Sequence, residues 1–210
     1  MSFSTILQAY MLIPYFIRIL LPLILFWELI VLCYIVHSHS SSSQKEIGYV
    51  LFGASIDWLL AAGIVTKCEK AEHGIHSLEI YRNLAAFKLY MNDVGLLTTK
   101  AGITAYDIIS GNDHVFIGAL TENYIANILE MHPYKLYYWS SGGEAEVDFI
   151  IEQEGKAVPI EVKAREHTKS RSLSVFLSKY PSEKSIRFSG RNFGWENGIE
   201  AIPLYAAWLV

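Results

Sequence analysis

The chain has 210 residues, 52% hydrophobic and 18% charged, with a formal net charge of -4. That leaves room for one medium domain or two small ones and excludes wholesale disorder. Two cysteines, Cys33 and Cys68, exclude a disulfide framework or a cysteine-ligated zinc site, and the net charge gives no overall electrostatic case for nucleic acid.

Residues 6–36 are almost unbroken apolar sequence, interrupted by Gln8, Pro14, Arg18, Pro22 and Glu28. The run is long enough to span a bilayer, yet two charges and two prolines weigh against a simple span. Residues 1–43 also lack Lys, Asp, Asn and Gly, and a serine tract from Ser38 to Ser43, broken by His39, ends them. Thymine-rich codons encode such a set. The expectation for 1–43 is therefore divided between a membrane anchor and translation of DNA never selected as protein, with a buried helix as a third option. The few cysteines suit a cytoplasmic protein, with membrane association through 6–36 as the other option.

Residues 44–111 read as a partial winged helix. Ile56, Leu59, Leu60 and Ile64 recur at helical spacing, and Gly63 is placed to end the helix. Short strands are expected at 64–68 and at 87–91, as the two sides of a wing. The helix carries no basic residue, so it reads as a packing helix. His73 and His76 have a metal-like spacing but sit in a polar turn without a third ligand.

The chemistry is expected in a third region, 112–210. A helix is predicted over 116–131, with Leu120, Tyr124, Ile125, Ile128 and Leu129 on its apolar face and Glu122 off that face. Strands follow at 135–139, 146–151 and 157–163, then a helix carrying Leu173, Phe176, Leu177 and Tyr180, then strands at 185–188 and 199–204. Residues 152–155 read as a hairpin loop that pairs Ile151 with Lys156. Strict alternation then gathers Glu146, Asp148, Glu161 and Lys163 on one face, opposite Val147, Phe149, Val158 and Ile160. Carboxylates converging in this way repel one another unless a cation neutralises them, and Mg²⁺ or Mn²⁺ suits such hard oxygen donors. A lysine beside the ion is positioned to orient an attacking water.

The helix Glu122, the strand Asp148 and the Glu161-Val162-Lys163 triplet 13 residues on resemble the PD-(D/E)xK nuclease superfamily. A closer resemblance is to the uncharacterised carboxyl-terminal domain of bacterial and archaeal AAA-type ATPases. It is carried by Phe87-Lys88-Leu89-Tyr90, Asp93-Val94-Gly95-Leu96-Leu97, Gly118-Ala119-Leu120-Thr121-Glu122, Tyr138-Trp139, Glu146-Val147-Asp148-Phe149-Ile150 and Pro159-Ile160-Glu161-Val162-Lys163-Ala164. The resemblance implies an α/β fold: a mixed central sheet flanked by helices, restriction-endonuclease-like, preceded by the partial winged helix. It implies Glu122, Asp148 and Glu161 as Mg²⁺ or Mn²⁺ ligands, Lys163 as the catalytic lysine, and Glu146 as an outer carboxylate. No Gly-x-x-x-x-Gly-Lys-Ser/Thr phosphate loop is present, so ATP hydrolysis is not expected of this chain.

Charge is unevenly spread. From 112 to 154 one basic residue, Lys135, stands against eight acidic ones, whereas from 155 to 191 nine basic residues stand against three acidic. Arg165, Lys169 and Arg171, directly after Lys163, are the expected phosphate contacts to DNA. The function expected is metal-dependent hydrolysis of DNA phosphodiesters. The alternative is a catalytically inactive module that binds DNA or protein and regulates an AAA-type ATPase.

Overall fold

The computed structural model of the protein describes residues 53, 56–110, 114–143, 145–164 and 171–210. The readings made for residues 1–43, and for Arg165 and Lys169, lie outside the described residues. Among the described residues, no helix is long and apolar enough to cross a membrane. The chain divides into two compact units, 1–59 and 60–210. The second unit carries the sheet and the residues of the candidate site.

That unit is built on one mixed eight-stranded sheet in the order β2-β1-β3-β4-β5-β6-β8-β7. The strands are β1 (Val65–Ala71), β2 (Arg82–Met91), β3 (Tyr137–Ser140), β4 (Glu146–Gln153), β5 (Lys156–Val162), β6 (Ser185–Ser189), β7 (Gly194–Glu196) and β8 (Ile199–Pro203). The helices are α1 (Val94–Lys100), α2 (Ala105–Ser110), α3 (His114–Glu130) and α4 (Arg171–Lys179). Parallel neighbours require a crossover connection, and α4 provides it between β5 and β6.

Two apolar layers hold the sheet between helices. Ile125, Ala126 and Leu129 of α3 pack on Cys68, Tyr138, Phe149, Ile160 and Phe188. Phe176 of α4 packs on Trp139, Val147 and Ile150 in the second layer. Burying a side chain of this size stabilises by about 1.5–3 kcal/mol. Gly74 makes room for it, because a Cβ there would lie 2.1 Å from the Phe176 ring.

The expected helix over 116–131 is present as α3. Gly63 does end the first helix, with φ 66 and its N–H donating to the Leu60 carbonyl at 3.0 Å. The two strands expected as a wing belong to the central sheet instead. β1 pairs antiparallel with β2 and parallel with β3, so β2 forms one edge of the sheet that also carries Asp148 and Glu161. His73 and His76 are exposed, as a polar turn predicts, with His76 Nδ1 2.7 Å from Glu152 Oε1.

The β4–β5 hairpin corrects the expected register. Gln153, not Ile151, pairs with Lys156, and Phe149 pairs with Ile160. The loop is the two residues Glu154 and Gly155, both at positive φ (51 and 73). Positive φ at both positions marks a primed turn whose twist matches the strands, so a two-residue loop prevails over the four-residue one. Asn tolerates that conformation better than Glu. Glu154→Asn is therefore expected to raise stability by about 0.5 kcal/mol, and Gly155→Ala to lower it by about 1 kcal/mol or more. Urea denaturation of both variants checks this, and a more stable Gly155→Ala would contradict the turn assignment.

Candidate functional site

The site begins with an irregularity in β4. Tyr137 of β3 pairs with Ile150 and Trp139 with Val147, so Tyr138 alone stands opposite two residues, Asp148 and Phe149. This is a β-bulge, and it breaks strict alternation. Val147 and Ile150 enter the α4-side core, while Phe149 enters the α3-side core. Asp148, beside Phe149 in the bulge, is turned towards α3 and joins Glu146 there.

The α3 face meets it with a charge. The residues of α3 turned to the sheet are Glu122, Ile125, Ala126 and Leu129, spaced as one helical stripe. Glu122 is therefore on the buried face, not off it as expected. Its burial is compensated from β2, where Lys88 and Tyr90 share a face two residues apart. Lys88 Nζ donates to Glu122 Oε1 at 3.0 Å, and the Tyr90 hydroxyl donates to the same oxygen. One position along α3, Asn123 pairs its amide with both the N–H and the carbonyl of Met91, at 2.8 Å each. That double bond fixes α3 against the end of β2.

Lys88 is the centre of the arrangement. It is 7% exposed, its Nζ lies 5.0 Å from the centroid of the Tyr138 ring, and it reaches Glu146 Oε1 at 2.6 Å. Burial works against the ammonium, but Glu122, Glu146 and Asp148 outweigh it and hold its pKa well above the ordinary lysine value. Asp148 responds in the opposite sense. Burial first, then repulsion from Glu122, push its pKa up to about 7, against the pull of Lys88, the Val162 N–H and Lys163. The Val162 N–H donates to Asp148 Oδ2 at 2.7 Å.

Glu161 goes elsewhere. Its neighbours Ile160 and Val162 belong to the α3-side core, which sends Glu161 to the other side of β5. There it is 2% exposed and held by Arg187 Nε at 3.3 Å and Lys163 Nζ at 3.1 Å. Lys163 is the link between the groups, since it touches Glu161 and its charge is felt by Asp148. The bulge is why the expected single face does not form. Glu122, Glu146 and Asp148 gather round Lys88, and Glu161 joins Lys163 and Arg187. Arg171, the first residue of α4, is exposed.

Among the described residues, no three His, Cys, Asp or Glu side chains are placed to hold a metal ion. Glu122, Glu146 and Asp148 are all carboxylate-oxygen donors, and the cation that stands among them is the ammonium of Lys88. That buried ammonium supplies positive charge to the cluster from β2. The sequence assigns no site role to Lys88, Tyr90, Asn123 or Arg187, although the first two stand in the Phe87-Lys88-Leu89-Tyr90 motif. The signal for the first two was a lysine and a tyrosine alternating in an otherwise apolar run, Phe87 to Met91.

The raised pKa of Asp148 has a consequence for stability. An unfolded aspartate ionises near pH 4, the folded one near 7, so between those values the folded state keeps a proton that the unfolded state releases. Stability contributed by this group therefore falls as pH rises through that window. Asp148→Asn, which can still accept from Val162, is expected to stabilise the protein at pH 8 relative to pH 5 by about 1–2 kcal/mol. Thermal unfolding at the two pH values measures it, and an equal effect at both would refute the burial argument.

No curated protein and no solved structure was found to match the chain. Residues 117–207 match the family described as "Domain of unknown function (DUF4143)", a stretch that includes Glu122, Glu146, Asp148, Glu161 and Lys163 but neither Lys88 nor Tyr90.

Proposed function

We propose that the unit is a restriction-endonuclease-like domain of PD-(D/E)xK type that hydrolyses DNA phosphodiesters with a divalent cation. The observation that carries this reading is the bulge. It turns Asp148 towards Glu122 while Lys163 remains near enough for its charge to act on Asp148. Bulges often sit beside active sites because they redirect one side chain. When bound, Mg²⁺ or Mn²⁺ would supply a water of lowered pKa and neutralise charge on the phosphoryl oxygens.

The chain's own residues do the rest. Glu122, Glu146 and Asp148 offer the oxygens that would hold the cation. The Val162 N–H fixes the direction of the Asp148 carboxylate. Glu161, anchored by Arg187, fixes Lys163, whose ammonium is positioned to orient the attacking water. Arg165, Lys169 and Arg171 would bind backbone phosphates and make association fall with salt.

A second reading is favoured by Lys88, which already neutralises the cluster. In it the domain is catalytically inactive, binds DNA or protein, and regulates an AAA-type ATPase.

Incubation of supercoiled plasmid with the purified protein separates them. The nuclease reading predicts nicking with Mg²⁺ or Mn²⁺, none with chelator, and DNA binding without cleavage in Ca²⁺. Asp148→Ala should abolish cleavage, and Lys163→Ala should slow it by about 100-fold or more while leaving DNA affinity unchanged. DNA retained without cleavage under every metal condition would favour the inactive module.

A further inference from the structure

The parallel neighbours β5, β6 and β8 end at one edge of the sheet, and cations gather there. Lys163 directly follows β5, and its N–H donates to the Phe188 carbonyl at 2.8 Å. Arg191 stands just beyond β6, where its N–H donates to Ser189 Oγ at 3.2 Å. Arg171 opens α4 at the same edge, because its neighbour Ser172 accepts from the N–H of Glu146, where antiparallel β4 begins. Arg171 and Arg191 are exposed, and among the described residues neither side chain pairs with a carboxylate. The chain then enters β7, whose Gly194 stands opposite Ala201 of β8. Phe193 and Trp195 are 55% and 65% exposed, and neither joins an apolar layer. Asn197 and Gly198, both at positive φ (52 and 78), close β7 on β8, so the two rings sit on a preformed hairpin.

We infer that this edge binds single-stranded DNA, with Lys163, Arg171 and Arg191 on its phosphates and Phe193 and Trp195 stacked on its bases. This deepens the reading of the unit as a DNA nuclease and rests on it. Charge favours a polyanion. The three cations come from three places in the sequence and meet at one edge, while the acids of the hairpin, Glu196 and Glu200, stand towards the other end of β8. Glu161 offsets only part of the charge beside it, being one carboxylate between Lys163 and Arg187. The rings favour a single strand. A duplex hides its base faces in the stack, whereas an unpaired strand offers a face to each aromatic side chain. Ligands of open α/β sheets lie outside the carboxyl ends of the parallel strands, which is where the cations gather. From β5 to β7 is three strand spacings, roughly 14 Å, so a strand stacked on the rings passes Lys163 within a few nucleotides.

The test is fluorescence anisotropy of a labelled thymidine oligonucleotide, and of a duplex of equal length, titrated with the full chain in chelator so that no cleavage intervenes. The single strand is expected to bind about tenfold or more tightly than the duplex. Trp195→Leu and Phe193→Leu should each weaken single-strand binding about fivefold or more, the loss of one stacked base, whereas Trp195→Tyr keeps a ring and stays within about twofold of wild type. Arg191→Gln should lower the slope of log affinity against log salt by about 0.7, the value of one phosphate contact to a single strand. These positions are exposed, so the variants should melt with the wild type, which circular dichroism checks. Equal affinity for the two forms of DNA, no binding by the folded wild type, or unchanged binding by Trp195→Leu overturns the inference. Self-association in sedimentation that Trp195→Leu abolishes, with no oligonucleotide bound, assigns the edge to a second copy of the chain and overturns it too. Ring-dependent binding of single strands without cleavage in Mg²⁺ would sustain the inference and defeat the nuclease. Metal-dependent cleavage by a wild type with no preference for single strands would do the reverse.

Discussion

A buried ammonium cannot stand alone in a protein interior, and this domain has one among three carboxylates. Lys88 on β2, Glu122 on α3, and Glu146 and Asp148 on β4 come from three elements far apart in sequence. Removing one member of such a group leaves an uncompensated charge, which typically costs about 3–5 kcal/mol. The cluster therefore ties the edge of the sheet, its middle and the long helix into one arrangement. Neighbouring contacts reinforce it, with Tyr90 on the same Glu122 oxygen and Asn123 bonded to both polar groups of Met91. Burial and polar satisfaction are here a single problem, solved at the α3–β2 contact.

The bulge in β4 decides what that contact can do. Strict alternation would put Glu146, Asp148 and Ile150 on one face, so the two carboxylates could not lie on the α3 side while Ile150 packs in the α4-side core. With the bulge, Asp148 and Phe149 both face Tyr138, one carboxylate and one aromatic ring directed to the same side. Asp148 is thereby brought close to Glu122, and its raised pKa is the electrostatic consequence. The Val162 N–H, freed from the ladder where β4 and β5 part, becomes the donor that holds Asp148. One extra residue in a strand thus sets apart the two groups of acids, Asp148 with Lys88 and Glu161 with Arg187.

Much of the frame was legible in the sequence, because periodicity reports burial. The stripe Ile125-Leu129 gave α3, and the β-branched runs gave β4, β5, β6 and β8. Four features were not legible, each for a physical reason. The hairpin register depended on Glu154 accepting positive φ, which composition does not reveal. The bulge depended on tertiary pairing with β3, since nothing within Glu146–Gln153 announces an extra residue. The burial of Glu122 on the face of α3 that meets the sheet depends on Lys88 and Tyr90, which supply its partners from 34 and 32 residues away and which no local pattern reports. The strands 65–71 and 82–91 looked like a local wing because hairpin partners are adjacent in sequence, and only the parallel β1–β3 pairing joins them to the main sheet.

The central claim is that Lys88 and the carboxylates act as one unit rather than as neighbours. A double-mutant cycle with Lys88→Met and Glu122→Gln, read by urea denaturation in metal-free buffer, measures that directly. A coupling energy of about 2 kcal/mol or more is the expected result, with the double variant more stable than the sum of the single changes implies. Additive effects within about 0.5 kcal/mol would contradict the account, because independent residues cannot be the constraint on which the α3–β2 contact depends.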